Sequence, residues 1–276
     1  MIRHRTDMAH STLDRRLQRL QRQAELVRAR RQQTLKDALA LMKAGVGVAD
    51  PWQAELLRST ASRILMLCSR QSGKSTLAAC LALADALQHP SLVLLLSPSL
   101  RQSQELFRKV VHFYRRLKHT IPTEQESALR LELVNGSRIV SLPGTEQKIR
   151  GFSGVGLLII DEAARVPDEL YFAVRPMLAV SGGRLVCLST PFGKRGFFHQ
   201  EWTEGDGWHK VKVTAEQCPR ISPAFLAEER KALGPWWYRQ EYECAFVDTL
   251  DQVFDHASVM AALTSDVEPL FSAIGV

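Results

Sequence analysis

Cysteine is scarce and badly placed for cross-linking. Five occur in 276 residues, at positions 68, 80, 187, 218 and 244. An odd, scattered set excludes a disulfide framework and shows no metal-ligand spacing. Cys68, Cys80 and Cys187 fall in apolar stretches, so reduced, buried thiols are expected. Long apolar runs are missing too. No uncharged stretch reaches the roughly 18 residues that a membrane helix needs. The opening Met1-Ile2-Arg3-His4-Arg5 leads into polar sequence, so no secretory signal is visible. His112, His119, His199 and His209 lack ligand-like spacing and read as surface residues. There is no internal repeat or low-complexity tract. What remains is ordinary globular text, 45% hydrophobic and 24% charged. It is enough for one large α/β domain or two small ones.

Acidic residues are short in one place only. Residues 1–50 hold eleven Lys or Arg against five Asp or Glu, whereas the whole chain carries +7. Nearly all the excess charge therefore belongs to this N-terminal segment. Within 11–43, Leu13, Leu17, Leu20, Ala24 and Val27 recur at helical spacing, with arginines filling much of the rest. Three readings stand for this arm: a solvated helix packing on its own or a partner domain, a short coiled coil, or contact with DNA phosphates. Gly45-Val46-Gly47 is the expected hinge, giving a division into a basic helical arm (1–49), a body (50–247) and a linker-like tail (248–276).

From Asp50 onward, apolar runs alternate with helical patterns. Asp50-Pro51-Trp52 starts a short helix. Strands are expected over 63–68, 92–96, 157–160 and 184–189, and an extended segment over 208–213. Leu131 to Ser141, turning at Asn135-Gly136, predicts a hairpin. Helices are expected over 100–118, 168–179, 194–204 and 222–242, the last broken at Gly234-Pro235. This order predicts a mostly parallel central sheet flanked by helices, with ligands beyond the carboxyl ends of the strands.

Two strand ends carry chemistry. Residues 63–68 run into Ser69-Arg70-Gln71-Ser72-Gly73-Lys74-Ser75-Thr76, the strand, phosphate-loop and helix order of a P-loop nucleotide site. Backbone N–H groups at such a turn face bound phosphates. Lys74 adds a positive charge for the β- and γ-phosphates, and the Ser75 hydroxyl is a Mg²⁺ ligand candidate. The usual first glycine is absent, with Cys68 in its place. The second strand, Leu157-Leu158-Ile159-Ile160, ends in Asp161-Glu162. Carboxylates at a buried strand end are costly unless they are used. Asp161 can hold Mg²⁺ and Glu162 can orient or deprotonate water; the plainer reading is a helix cap.

Together these motifs resemble the large terminase subunit of tailed bacteriophages over about residues 50–250. Ser69 to Ser75 is similar to that family's variant phosphate loop, in which Arg-Gln replaces the Gly-rich start. Trp52-Gln53 resembles its adenine motif, Ile159 to Ala163 its Walker B strand, Ser189-Thr190-Pro191 its coupling motif, and Lys148 to Gly151 an Arg-Gly element. The resemblance implies a P-loop NTPase fold and ATP with Mg²⁺ as cofactors. It implies a motor for viral genome packaging that acts on double-stranded DNA without sequence preference. The implied partners are a small terminase subunit, a portal protein and further copies of the chain in a ring, in the bacterial host cytoplasm with no membrane.

Under that resemblance, Gln53 reads adenine, or else it is a surface Gln on a capping helix. Thr190 senses the γ-phosphate. Arg70 acts in cis, or Arg150 acts as an arginine finger in trans; a solvated loop arginine is the plainer account of Arg150. The family also carries a C-terminal nuclease domain with an acidic metal cluster. Here Asp248, Asp251 and Asp255 lie in linker-like sequence and the text stops at Val276, so an ATPase half without nuclease activity is expected. Two rivals remain at this point: a two-lobed P-loop helicase fragment, and a non-enzymatic prophage remnant that only binds partners.

Overall fold

The computed structural model describes residues 38–117, 121–144, 149 and 151–247, together with Arg22. The rest of the expected arm, the expected finger Arg150 and the 248–276 tail lie outside the described residues.

One eight-stranded sheet organises the body, with strand order β3-β4-β5-β2-β6-β7-β1-β8. Its strands are β1 (Arg63–Cys68), β2 (Leu92–Ser97), β3 (Thr123–Glu126), β4 (Arg130–Leu133), β5 (Arg138–Pro143), β6 (Leu157–Asp161), β7 (Arg184–Ser189) and β8 (His209–Val213). From β5 across to β8 every neighbouring pair is parallel. The antiparallel β3 and β4 extend the other edge.

The central strands β1, β2, β6 and β7 are apolar along most of their length because both faces are covered, whereas the edge strand β8 alternates exposed lysines with valines. Successive side chains go to opposite layers. Ile64, Met66, Val93, Leu95, Leu157, Ile159, Val186 and Leu188 join one core. Leu65, Leu67, Leu94, Leu96, Leu158, Ile160, Leu185 and Cys187 join the other. The first layer is covered by α1 (Ala38–Gly45), α2 (Pro51–Arg58), α3 (Lys74–Gln88) and α4 (Leu100–Arg116). The second holds α5 (Asp168–Val174) and α6 (Gly196–Thr203). A small separate cluster of Ala215, Leu226, Tyr238 and Tyr242 anchors α7 (Pro223–Glu241). All five cysteines are free and buried.

Composition groups residues 38–49 with the basic arm, but α1 packs into the body. Ala38, Leu41 and Met42 are buried in the first core. A side chain at Gly45 would sit 2.2 Å from the Phe113 ring, so the absence of a Cβ lets α1 close on α4. The Asn135-Gly136 hairpin forms as expected, and Gly136 takes φ 86°. Asn135 Nδ2 and Ser137 Oγ both donate to the Ala86 carbonyl, at 2.9 and 2.7 Å, satisfying a helix-end acceptor. β3 has no sequence signal: Thr-Glu-Gln-Glu is mostly exposed and pairs only as an edge. The helix expected over 168–179 is α-helical only to Val174 and continues as a 3-10 turn, Arg175–Leu178. Pro176 has no N–H for the α-helical bond. In α7, Gly234 leaves helical geometry at φ 72°, ψ 169°, the break expected at Gly234-Pro235.

Candidate active site

The carboxyl ends of β1, β6 and β7 are adjacent in the sheet, because β6 pairs with β7 and β7 with β1. That order brings the phosphate loop, Asp161-Glu162 and Thr190 to one edge. Four of the expected residues, Arg70, Lys74, Glu162 and Thr190, line one cleft of about 340 Å³, together with Gln102, Arg165 and Glu241. A roomier hollow of about 640 Å³ beside Phe172 and Arg175 has no phosphate loop.

The loop is held by its backbone. Ser69 N–H donates to the Val213 carbonyl and Arg70 N–H to the Glu241 carbonyl, both at 2.8 Å. Gln71 turns the chain at φ 62°, in place of a glycine. Gly73 follows at φ 92°, and a Cβ there would stand 3.0 Å from both Arg220 Nη2 and Gln53 Nε2. Glycine is therefore required on two counts, backbone angle and space. The turn delivers Lys74 and Ser75 to the first turn of α3, with Thr76 N–H closing back on the Gly73 carbonyl at 3.1 Å. Ser72 is fully buried beneath the loop.

Lys74 Nζ meets Glu162 Oε1 at 3.0 Å. Both groups are largely shielded from water. Burial pushes the Lys74 pKa down, but the charges of Glu162 and Asp161 outweigh it and the net direction is up. Asp161 is raised, first by burial and then by the Glu162 charge, against the opposing pull of Lys74 and a Ser75 hydrogen bond. Its Oδ1 also accepts the Glu162 N–H at 3.0 Å. Glu162 has left-handed backbone geometry, φ 52°, at the head of the 3-10 turn Ala163–Arg165. Its side chain makes no cap there. It turns instead to Lys74 and to Thr190, whose Oγ1 donates to Oε2 at 3.4 Å. A helix cap would leave that carboxylate on its own N–H groups, so the plainer reading does not describe it.

Gln53 is buried, with its amide oxygen accepting the Asp50 N–H at 2.9 Å in a capping box. The remaining amide donors lie over Gly73. Arg220 completes this corner: it donates to Asp50 Oδ1 at 2.8 Å and to the Ser72 carbonyl at 2.9 Å. Sequence reading missed Arg220, Glu241, Gln102 and Arg165. Arg220 and Glu241 come from a segment without any nucleotide motif, and only the fold brings them in. Gln102 and Arg165 did have a signal: each lies three residues beyond a turn-forming residue, Ser99 and Glu162, the spacing that closes one turn.

A three-layer parallel sheet with a phosphate loop on β1 and paired acids on the neighbouring strand end defines a P-loop NTPase fold. The match to known proteins is narrower. Residues 65–258 match the family described as terminase large subunit, T4likevirus-type, N-terminal, and the chain belongs to it. It is 28% identical over 248 residues to the large terminase subunit of Thermus virus P23-45, covering 76% of this chain and 51% of the relative. The large terminase subunit of Escherichia phage T5 is 26% identical over 204 residues, covering 70% and 46%. The chain thus spans about half the length of these curated relatives. Among solved structures, the large terminase ATPase domain of Thermus phage P74-26 superposes with TM-score 0.66 at 23% identity, covering 74% of this chain and 96% of that one. A thermophilic bacteriophage's large terminase in complex with ADP superposes at 0.59 with 11% identity, covering 72% and 54%.

Proposed function

We propose that this chain binds ATP with Mg²⁺ in the Lys74–Glu162 cleft and hydrolyses it to drive double-stranded DNA into a viral capsid. The observation that carries this is the 3.0 Å contact between Lys74 and Glu162, with Thr190 bonded behind the same carboxylate. A lysine on a phosphate loop and an acid beside it would separate once the γ-phosphate takes the lysine. Glu162 is then free to orient water.

The residues fit a hard cation. Ser75 and Asp161 share a hydrogen bond at the head of α3, so two oxygen ligands already converge. Mg²⁺ held there by Ser75 and Asp161 would neutralise charge on the phosphates. Within Ser69 to Thr76, the backbone N–H groups of Gln71 to Ser75 and the end of α3 cradle the phosphates, while those of Ser69, Arg70 and Thr76 hold the loop in shape. Glu162 takes a proton from the attacking water, and Lys74 stabilises the charge that develops on the transferred group. Thr190 is bonded to Glu162 and begins the Thr190-Pro191 turn after β7, so it reports the state of Glu162 to that loop. Gln53, whose amide nitrogen lies over Gly73, serves as the base-reading residue.

The activating arginine is Arg70 in cis or Arg150 from a neighbouring copy in a ring. A mixture of Arg150→Ala and Glu162→Ala chains decides between them: regained turnover assigns Arg150, and a dead mixture of assembled chains assigns Arg70. The basic 1–49 arm supplies sequence-independent, salt-sensitive contact with DNA phosphates. A small terminase subunit and a portal protein are the further partners, in the host cytoplasm. Among the described residues no helix is long and apolar enough to cross a membrane.

Two measurements test the proposal. Mg-ATP should raise the melting temperature of the wild-type chain and leave Lys74→Ala unmoved; equal stabilisation of both refutes the site. ATPase rate per chain should rise with protein concentration and with double-stranded DNA.

A further inference from the structure

The nucleotide cleft holds three cations, and they are not equivalent. Lys74 is paired with Glu162 at 3.0 Å and Arg70 with Glu241 at 3.7 Å. Arg165 lines the same cleft, yet among the described residues no carboxylate pairs with it. Its guanidinium carbon instead rests 4.2 Å from the centre of the Phe192 ring. Arg195 stands over the same ring at 5.2 Å. Two like charges thus share one aromatic ring, a weak contact at an exposed site. A phosphate oxygen is a far stronger partner for a guanidinium than an aromatic ring.

The position is also specific. Arg165 N–H donates to the Glu162 carbonyl at 2.9 Å, so Arg165 closes the turn that Glu162 opens. Phe192 stands two residues beyond Thr190, the residue bonded to the Glu162 side chain. Arg165 therefore connects the hydrolytic carboxylate's turn with the loop after β7 from inside the nucleotide cleft.

We propose that Arg165 is a nucleotide-binding residue that distinguishes ATP from ADP: it rests on Phe192 and transfers to the terminal phosphate when a triphosphate enters. This rests on the ATP-site reading above, and adds a second cis arginine to Arg70. Leaving the ring for the phosphate leaves Phe192 with Arg195 alone, so the loop carrying Thr190 and Phe192 registers the extra phosphate.

The test measures equilibrium affinity of the full chain for a non-hydrolysable ATP analogue and for ADP, both with Mg²⁺. Wild type, Arg165→Ala, Arg165→Lys and Lys74→Ala are compared. Arg165 is exposed, so its removal spares the core. The expected result is a loss of at least tenfold in affinity for the triphosphate in Arg165→Ala, with ADP affinity held within twofold. Arg165→Lys recovers part of the loss. Equal losses for both nucleotides, or no loss for either, overturn the assignment while Lys74-dependent binding by wild type keeps the site itself intact. Absence of Lys74-dependent binding in wild type overturns both. A second readout is independent of affinity: Phe192→Trp fluorescence should change with the triphosphate analogue and not with ADP, and this difference should vanish when Arg165→Ala is added. A difference that persists in the double variant also overturns the proposal.

Discussion

The two ion pairs at the ends of the phosphate loop each have a shielded acid, but they differ in how far the cation is exposed and in how close it sits. At the back, Lys74 and Glu162 lie 3.0 Å apart with side chains only 9% and 19% exposed. At the front, Arg70 and Glu241 lie 3.7 Å apart, and the arginine is 66% exposed. The rear pair sits where water is excluded and charges couple strongly, so the Glu162 and Asp161 charges raise Lys74 against its burial, and the Glu162 charge adds to burial in raising Asp161. The front pair is screened from its arginine side only, since Glu241 is 11% exposed. Its hold on the loop comes from the backbone instead, through the Arg70 N–H to the Glu241 carbonyl at 2.8 Å. The difference separates two tasks. Under the proposed function the rear pair stores charge that a phosphate can displace, while the front pair joins the loop to the end of α7.

Breaking the rear pair has the largest expected effect. Lys74→Ala removes the cation preorganised for the terminal phosphate and should lower turnover by about 10³-fold, the upper range for losing one such donor. Steady-state ATP hydrolysis measures it. Glu162→Gln tests the other partner. It keeps the shape and should hold ATP affinity within a few-fold. Turnover should fall by roughly 10²-fold or more, the range for a positioned base. A variant that loses binding and turnover together would make Glu162 a structural partner of Lys74 and nothing more.

The same contrast governs what the sequence disclosed. The rear half was legible because its residues sit directly after apolar runs: Lys74 beyond β1, Asp161-Glu162 at the end of β6, and Thr190 beyond β7. A parallel strand buried on both faces has to be apolar, and polar residues at its carboxyl end stand out. The front half was legible only in Arg70, which lies within the loop itself. Glu241 is 171 positions from Arg70 and Arg220 is 148 from Ser72, and neither follows a strand. Cys68 looked like a defect in the loop pattern. It is fully buried in the first core, and the left-handed turn falls at Gln71 and Gly73 instead. The edge strand β3 escaped notice for a related reason: an exposed edge has no alternation to read. The helical pattern up to residue 43 is legible, but the packing of α1 into the body is not, because the charge boundary and the burial boundary fall at different residues.

Arg220 tests the corner between the two pairs. It bonds the buried Asp50 carboxylate and the Ser72 carbonyl together. Removing it leaves Asp50, 7% exposed, without its cation. Arg220→Ala should cost about 1.5–3 kcal/mol, the range for hydrogen bonds to a charged group, with the lower end favoured because Arg220 is half exposed. Loosening Gly73 and Gln53 should also raise KM for ATP more than it lowers kcat. Urea unfolding and initial rates separate the two effects. Asp50→Asn should be milder, because the amide keeps an acceptor for the guanidinium.

The smallest expected change is in the stability of the front pair. Glu241→Gln removes a carboxylate from a 3.7 Å contact with a mostly exposed arginine. Glu241 is itself buried, but solvent and salt reach the arginine end of this long contact, and pairs screened in that way contribute about 0–1 kcal/mol. The loop's anchor is a backbone carbonyl, which this substitution leaves in place. Unfolding free energy should therefore move by less than about 1 kcal/mol, and raising the salt concentration should shrink the difference further. That small effect makes the variant useful. If Arg70 serves the phosphate in cis, loss of its carboxylate partner frees it, and Glu241→Gln should keep or raise turnover while Arg70→Ala lowers it. If both substitutions leave turnover unchanged at equal stability, the front pair is only a surface contact. The division of tasks between the two ends of the loop then rests on the backbone bond alone.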